Sequence, residues 1–141
     1  MANKLRYEDC KTLIDFLIRK VEVEEGKPLA IAISDDAGNP ISLTLLDGMA
    51  VRGGSFALHK AYTAAKFNKS TKLMMEHLKK QGFEISAFCD PKLSPLKGGA
   101  PIVDKDGVMV GAIGVSGWTG DEDQELADEA ASILQRLWCA D

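Results

Sequence analysis

The fold is decided by residues 107–123, which read GVMVGAIGVSGWTGDED. β-Branched residues are frequent in its first half, and no charged residue stands within residues 107–120. A short apolar run bounded by turn residues predicts a strand that is buried on both faces. Gly111 and Gly114 leave bare backbone inside this strand, so another group can approach it closely.

A glycine-rich turn follows this strand at residues 116–120, and Thr119 or Asp121 can cap a helix over about 121–138. Open N–H groups before a helix can hold an anion or a polar ligand edge, although glycines there also serve simply to permit a tight turn. Ser116 and Gly117 are therefore candidate ligand-binding residues. A nucleophile elbow at Ser116 is excluded, because Trp118 stands where that motif requires glycine.

Outward from this stretch, the pattern predicts helices over residues 7–25, 54–68 and from Ser70 or Thr71 to 80, and strands over 29–34, 41–46 and 98–103. Turn signals at 35–40 and 104–107 join the strands into two hairpins. The order α-β-β-α-α-β-β-α predicts one α+β domain, residues 1–141, with helices packed on an antiparallel sheet. Alanines at 57, 61, 64 and 65 allow another backbone to lie close to their helix. Residues 83–97 are expected to form a functional or partner-contacting loop.

The composition and charge of the chain argue against several classes of function. Of 141 residues, 45% are apolar and 27% charged, which is ordinary for a globular protein. A net charge of -4 argues against a nucleic-acid binder, because no basic field recruits phosphates. No run is long enough to span a bilayer, and residues 1–6 lack an apolar signal core, so we expect a cytoplasmic protein without membrane contact. Cys10, Cys89 and Cys139 are expected to be free thiols, with Cys89 the accessible one.

An ordered set of motifs carries a family resemblance. It comprises DGMA at 47–50, S-x3-HKAYTAA at 55–65, ST at 70–71, GG-x-PI at 98–102, DG-x2-VG-x-IGVSG at 106–117, and Asp123. This set resembles the GlcG/HbpS-like family, which includes the C-terminal domain of PduO-type proteins, over residues 13–134.

The resemblance implies a profilin-like three-layer sandwich, in which a five-stranded antiparallel sheet has helices on both faces. A fifth strand is then expected at residues 83–88. It also implies homo-oligomers, as dimers or larger assemblies. Some members bind haem, some are linked to haem breakdown or corrinoid metabolism, and others sit beside glycolate or diol pathways with no settled activity.

His59 and Lys60 are the sharpest candidate pair. A neutral imidazole can donate a nitrogen lone pair to haem iron, and Lys60 can pair with a propionate or a small carboxylate. The alternatives are that His59 is a surface residue and that Lys60 bonds carbonyls at a sheet edge; the family pattern includes the lysine and not the histidine. Gly98 and Gly99 are expected to present N–H groups in the same pocket.

Three carboxylates, Asp47, Asp121 and Asp123, border glycine turns. One of them can act as a general base or hold a ligand hydroxyl, while capping of turns and helices is the plainer role. Asp47 is a candidate to pair with Lys60. In such a pair the pKa of the aspartate would fall and that of the lysine would rise, so that both charged forms are favoured.

Three functional hypotheses follow, of which the third is an assembly or stabilising partner of a metabolic enzyme, with the loop at residues 83–97 at an interface. The first is a protein that binds haem or a related tetrapyrrole near a subunit interface, with His59 as iron ligand and Lys60, Gly98, Gly99, Ser116 and Gly117 around the ligand. The second is a small enzyme acting on a carboxylate or hydroxy acid, with Lys60 as clamp and Asp47 or Asp121 as base. The first two depend on Lys60, Gly99 and Ser116 meeting around one cavity.

Overall fold

The computed structural model describes residues 4–24 and 27–140. The elements in chain order are α1 (Tyr7–Val23), β1 (Ala30–Asp35), β2 (Pro40–Leu45), α2 (Val51–Phe67), α3 (Thr71–Gln81), a 3₁₀ turn (Ile85–Phe88), β3 (Gly99–Val103), β4 (Met109–Ser116) and α4 (Gly120–Cys139). The predicted order of helices and strands is confirmed. The predicted end of the first helix at residue 25 lies outside the described residues.

The strands form one antiparallel sheet with the order β2-β1-β4-β3. Both predicted hairpins are present, and β1 and β4 are the central pair. In their ladder Ala30 lies opposite Ser116, so β4 ends where β1 begins. This register places Ser116 at one end of the sheet, next to the start of α4.

The two faces of the sheet have different side chains. On one face, the large residues Ile31, Ile33 and Ile113 pack with α1 and α4 in the main core. On the other face, Ala30 and Ala32 pack against small residues of α2. The layers therefore run from α1 and α4 through the sheet to α2, with α3 beside α2.

Helix α2 lies unusually close to the sheet because glycines stand beneath it. A Cβ at Gly114 would come within 2.0 Å of the Ala57 carbonyl oxygen, and one at Gly99 within 2.4 Å of the Lys60 carbonyl oxygen. The prediction that bare backbone in β4 admits a close neighbour is confirmed: at Gly114 the neighbour is the backbone of α2, and at Gly111 it is the Ser34 carbonyl oxygen and the Leu5 side chain.

The expectation of a fifth strand at residues 83–88 is wrong: the sheet of the described residues has four strands. Residues Ile85–Phe88 form a 3₁₀ turn with none of its residues buried. Its backbone hydrogen bonds are local, from Ala87 N–H to the Glu84 carbonyl at 3.0 Å and from Cys89 N–H to the Ser86 carbonyl at 3.1 Å. A segment that satisfies its own backbone in this way does not need a sheet edge.

Three smaller expectations also change. Helix α2 begins at Val51, three residues before the predicted start, and α4 begins at Gly120 with Thr119 rather than Asp121 as its cap. Cys89 is exposed as predicted, but Cys139 is exposed too, and Cys10 is buried. Across the part of the chain that the structure describes, none of the helices has both the length and the apolar composition needed to cross a bilayer.

We predict that Gly114→Ala lowers the free energy of unfolding by at least about 2 kcal/mol, because the new methyl group would collide with the backbone of α2. Gly120→Ala is the matched control, since its Cβ would meet only Lys97 Cβ at 3.7 Å, an ordinary contact. The control is expected to leave stability unchanged or raise it by up to about 1 kcal/mol. Urea denaturation measures both, and equal stabilities for the two variants would contradict the packing described.

Candidate functional site

A cavity of about 390 Å³ lies where the start of α2, the end of β4, the start of α4 and the segment before β3 meet. Its volume falls within the range of small-molecule sites, roughly 300–1,000 Å³. Its wall combines apolar, cationic and turn residues: Met49, Ala50, Arg52, Gly53, Phe56, Lys60, Leu96, Lys97, Ser116, Gly117, Trp118, Gly120 and Asp123.

Lys60 reaches this cavity from the buried face of α2 and is only 3% exposed. Its ammonium group donates to the Val115 carbonyl oxygen at 2.8 Å and to Asp123 Oδ2 at 3.2 Å. Burial lowers the pKa of Lys60, and the charge of Asp123 opposes that shift. The close packing of α2 on β4 thus brings a cation to the end of the sheet and out of solvent.

Asp123 lies in the first turn of α4 and is also 3% exposed. Its Oδ1 accepts the N–H of Trp118 at 2.9 Å, and the N–H of Gly117 also faces this carboxylate. Burial raises the pKa of Asp123, while Lys60 and the two N–H groups oppose the rise. Burial therefore favours the neutral form of each partner, and their mutual attraction favours the charged forms.

Gly98 and Gly99 border Lys60, but their N–H groups are already bound within the protein. Gly98 N–H donates to Gln124 Oε1 at 2.9 Å, and Gly99 N–H donates to Thr71 Oγ1 at 3.0 Å. A Cβ at Gly98 would lie 2.9 Å from Lys60 Nζ. In this structure the glycines make room for the lysine, and the expectation that their N–H groups are free for a ligand is wrong.

Ser116 and Gly117 both line the cavity with Lys60, so the predicted meeting of the lysine helix with this turn is present, whereas Gly98 and Gly99, expected at the same cavity, are not part of its wall. Ser116 is buried, and within the described residues its hydroxyl has no hydrogen-bond partner. Gly117 has φ +133°, and a Cβ there would come within 2.5 Å of the Pro28 carbonyl oxygen, so the turn requires glycine. The hydroxyl of Ser116 is available to a ligand.

The other predicted site residues lie apart from the ion pair. Asp47 is exposed and does not line the cavity, and Lys60 pairs with Asp123, so the expected Asp47–Lys60 pair is wrong. Asp121 is exposed and pairs with Lys97 at 2.6 Å on the rim. His59 is half-buried and is not part of the cavity wall.

His59 nevertheless shares a helical stripe with two residues of the wall. Arg52, Phe56 and His59 stand at i, i+4 and i+7 on α2, a spacing that aligns side chains along one side of a helix. Arg52 and Phe56 are exposed, and His59 lies one turn beyond the cavity. Arg52, Phe56 and His59 therefore form a stripe along α2 that begins in the cavity wall and ends at an imidazole outside it.

Several site residues were missed from the sequence. Arg52, Phe56 and Lys97 carried no motif, and Asp123 was considered as a general base, a ligand-binding group or a cap, but not as the partner of Lys60. One signal for Asp123 was available, because it extends the buried stripe of Ala127, Ala130 and Leu134 in α4 at helical spacing. A carboxylate on an apolar stripe requires a buried partner.

We predict that Lys60→Met lowers the free energy of unfolding by about 3–5 kcal/mol, because Asp123 would be left buried without its cation. Asp121→Asn is the control: it breaks the exposed pair with Lys97 and should cost no more than about 1 kcal/mol. Chemical denaturation compares the two. Equal, small losses would show that Lys60 and Asp123 are solvated rather than buried together.

Comparison with known proteins identifies a family model and relatives that match this chain. The model of the family described as "Haem degrading protein HbpS-like" matches residues 5–132. Protein GlcG of Escherichia coli K12 is 36% identical over 108 residues, covering 77% of this chain and 78% of GlcG.

Solved structures with the same fold are also found. A double mutant of HbpS from Streptomyces reticuli superimposes with a TM-score of 0.81 at 27% identity, covering 95% of this chain and 89% of that one. A structure described as a PduOC:heme complex has a TM-score of 0.79 at 20% identity, covering 92% and 94%. At that identity the second likeness shows the shared fold alone.

Proposed function

This chain belongs to the HbpS-like family, and from that premise we propose that it binds haem or a related tetrapyrrole along the stripe from the cavity to His59. The observation that carries the proposal is the alignment of Arg52, Phe56 and His59 on one side of α2, with the first two in the cavity wall. At about 1.5 Å per residue, the stripe extends roughly 10 Å along the helix. A ligand that contacts the whole length of this stripe is larger than a small metabolite, and a tetrapyrrole ring meets that requirement.

The residues present fit haem in three respects. The imidazole of His59 is half-exposed. It can donate a nitrogen lone pair to the iron of a bound haem and so act as an axial ligand. Phe56 and Met49 offer an apolar surface for a ring. Arg52 is a cation at the same cavity without an ion-pair partner among the described residues, and it can pair with a carboxylate of the ring.

The face around the stripe also supports a homo-oligomer. Val51 is 85% exposed and Phe56 43% exposed, and Leu43 and Leu45 of the edge strand β2 are exposed nearby. Leu43 and Leu45 lie beside Gly54 of α2, so the edge of the sheet and this helix together present exposed apolar side chains. A second copy covering this surface would shield both it and a bound ring from water.

A second candidate function is an enzyme acting on a small carboxylate. The observation that favours it is the buried Lys60–Asp123 pair at a cavity whose 390 Å³ suits a compact molecule. Within that candidate the proton-moving group is Asp123, since Asp47 and Asp121 lie away from Lys60.

Titration of the purified protein with haem tests the first proposal. We expect a saturable shift of the Soret band, and His59→Ala should raise the dissociation constant at least about tenfold, which corresponds to roughly 1.4 kcal/mol. His77→Ala is the matched control, because His77 is the chain's other histidine and is exposed on α3. It should bind like the parent.

Absence of a shift beyond that of haem alone would contradict the proposal, as would equal losses in the two histidine variants. Thermal unfolding of the same samples separates the candidates, because a ligand that binds the folded state raises its stability. Stabilisation by small carboxylates without any Soret shift would favour the enzyme.

A further inference from the structure

Lys60 lines the cavity and has one N–H donor without a hydrogen-bond acceptor among the described residues. A lysine ammonium carries three N–H donors, and the described residues supply two acceptors, the Val115 carbonyl and Asp123 Oδ2. The lysine is held at its tip by both contacts and by the close backbone of Gly98. The amine nitrogen is therefore fixed in position at a cavity, as an attacking group must be.

Asp123 is placed to take a proton from this amine. Its Oδ2 lies 3.2 Å from Lys60 Nζ, within hydrogen-bond reach of the proton that would move. Burial lowers the pKa of the lysine and raises that of the aspartate, so both shifts favour a neutral amine beside a neutral acid. A lysine activated by burial is the type that forms Schiff bases with carbonyl substrates.

We propose that Lys60 forms a Schiff base with a small 2-oxo acid or aldehyde acid, whose carboxylate pairs with Arg52. Two features of the cavity favour small oxo acids as the substrate class. Arg52 lines the same cavity and has no ion-pair partner among the described residues, whereas Lys97 is already paired with Asp121. A volume of 390 Å³ accommodates a compact acid beside the amine.

The step balances without an oxidant or a metal. Asp123 takes one proton from the Lys60 ammonium, and the amine lone pair attacks the carbonyl carbon, forming a C–N bond while the carbonyl π pair moves to oxygen. The oxygen first gains the proton held by Asp123. Asp123 then takes a second proton from the nitrogen and passes it to the same oxygen, and the C–O bond breaks as water leaves. The product is a protonated imine, which has the same charge as the original ammonium and retains Asp123 as counter-ion.

This inference builds on the second candidate function, because it uses the same cavity, and it does not depend on haem binding. Neither haem nor His59 takes part in the reaction. A protein that fails to bind haem can still form the imine, and the two proposals fail separately.

Reductive trapping tests the inference. The parent protein is incubated with glyoxylate or pyruvate and sodium cyanoborohydride, digested, and mapped by mass spectrometry. We expect one dominant adduct on the peptide that contains Lys60, with a mass gain equal to the carbonyl compound less one oxygen atom. Lys60→Arg should abolish this adduct, Asp123→Asn should slow its formation at least about tenfold, and Lys105→Arg in the exposed β3–β4 turn should leave it unchanged.

Mapping on the parent decides the matter even where a Lys60 variant does not fold. No adduct, or adducts spread over exposed lysines, would overturn the inference. Thermal stabilisation by pyruvate without an adduct would overturn it as well, while leaving carboxylate binding in place.

Discussion

The close contact between α2 and the sheet is the constraint on which the rest of the structure depends. Gly114 and Gly99 let the backbone of α2 rest on β4 and β3 at distances that no side chain permits. The alanines of α2 and of β1 complete this thin layer. Because the helix lies so near, the side chain of Lys60 runs along the sheet rather than into solvent, and its ammonium reaches the end of β4.

That position makes an ion pair that stability alone does not explain. Taking two charges out of water is expensive, and a buried pair is often no better than apolar residues of the same size. Here the pair joins α2, the end of β4 and α4, and it borders a cavity. A costly pair that opens on a cavity is what a binding or reactive site requires, since such sites hold groups in states that water would not favour.

The sequence predicted more of the fold than of the site. The hydrophobic periodicity and the turn signals are local features of the sequence. They therefore predicted the order of helices and strands and both hairpins directly. The start of α2 was missed because Gly53 and Gly54 have low helix propensity, and packing of Leu43 and Leu45 beside Gly54 overrides it. The fifth strand came from the resemblance rather than from the residues themselves, and the local hydrogen bonds of residues 85–89 replace it.

The site could be predicted only in part, for a physical reason. Lys60, Ser116 and Gly117 were correctly brought to one place, since the helix and the turn each carried a motif. Asp123 lies 63 residues from Lys60 in sequence, and their pairing depends on how closely two helices approach opposite faces of one sheet. No local pattern specifies that distance. The N–H groups of Gly98 and Gly99 were misassigned for the same reason, because their acceptors come from α3 and α4.

The titration of Lys60 itself tests this account most directly. Side-chain NMR of the lysine ammonium groups, with Lys60 assigned by its absence in Lys60→Arg, gives its pKa in the folded protein. The account predicts a pKa below the ordinary lysine value of about 10.4, and a further fall in Asp123→Asn, where the opposing charge is lost. A Lys60 that titrates at the ordinary value in both proteins would contradict it, because such a lysine would be in water and not in a buried pair.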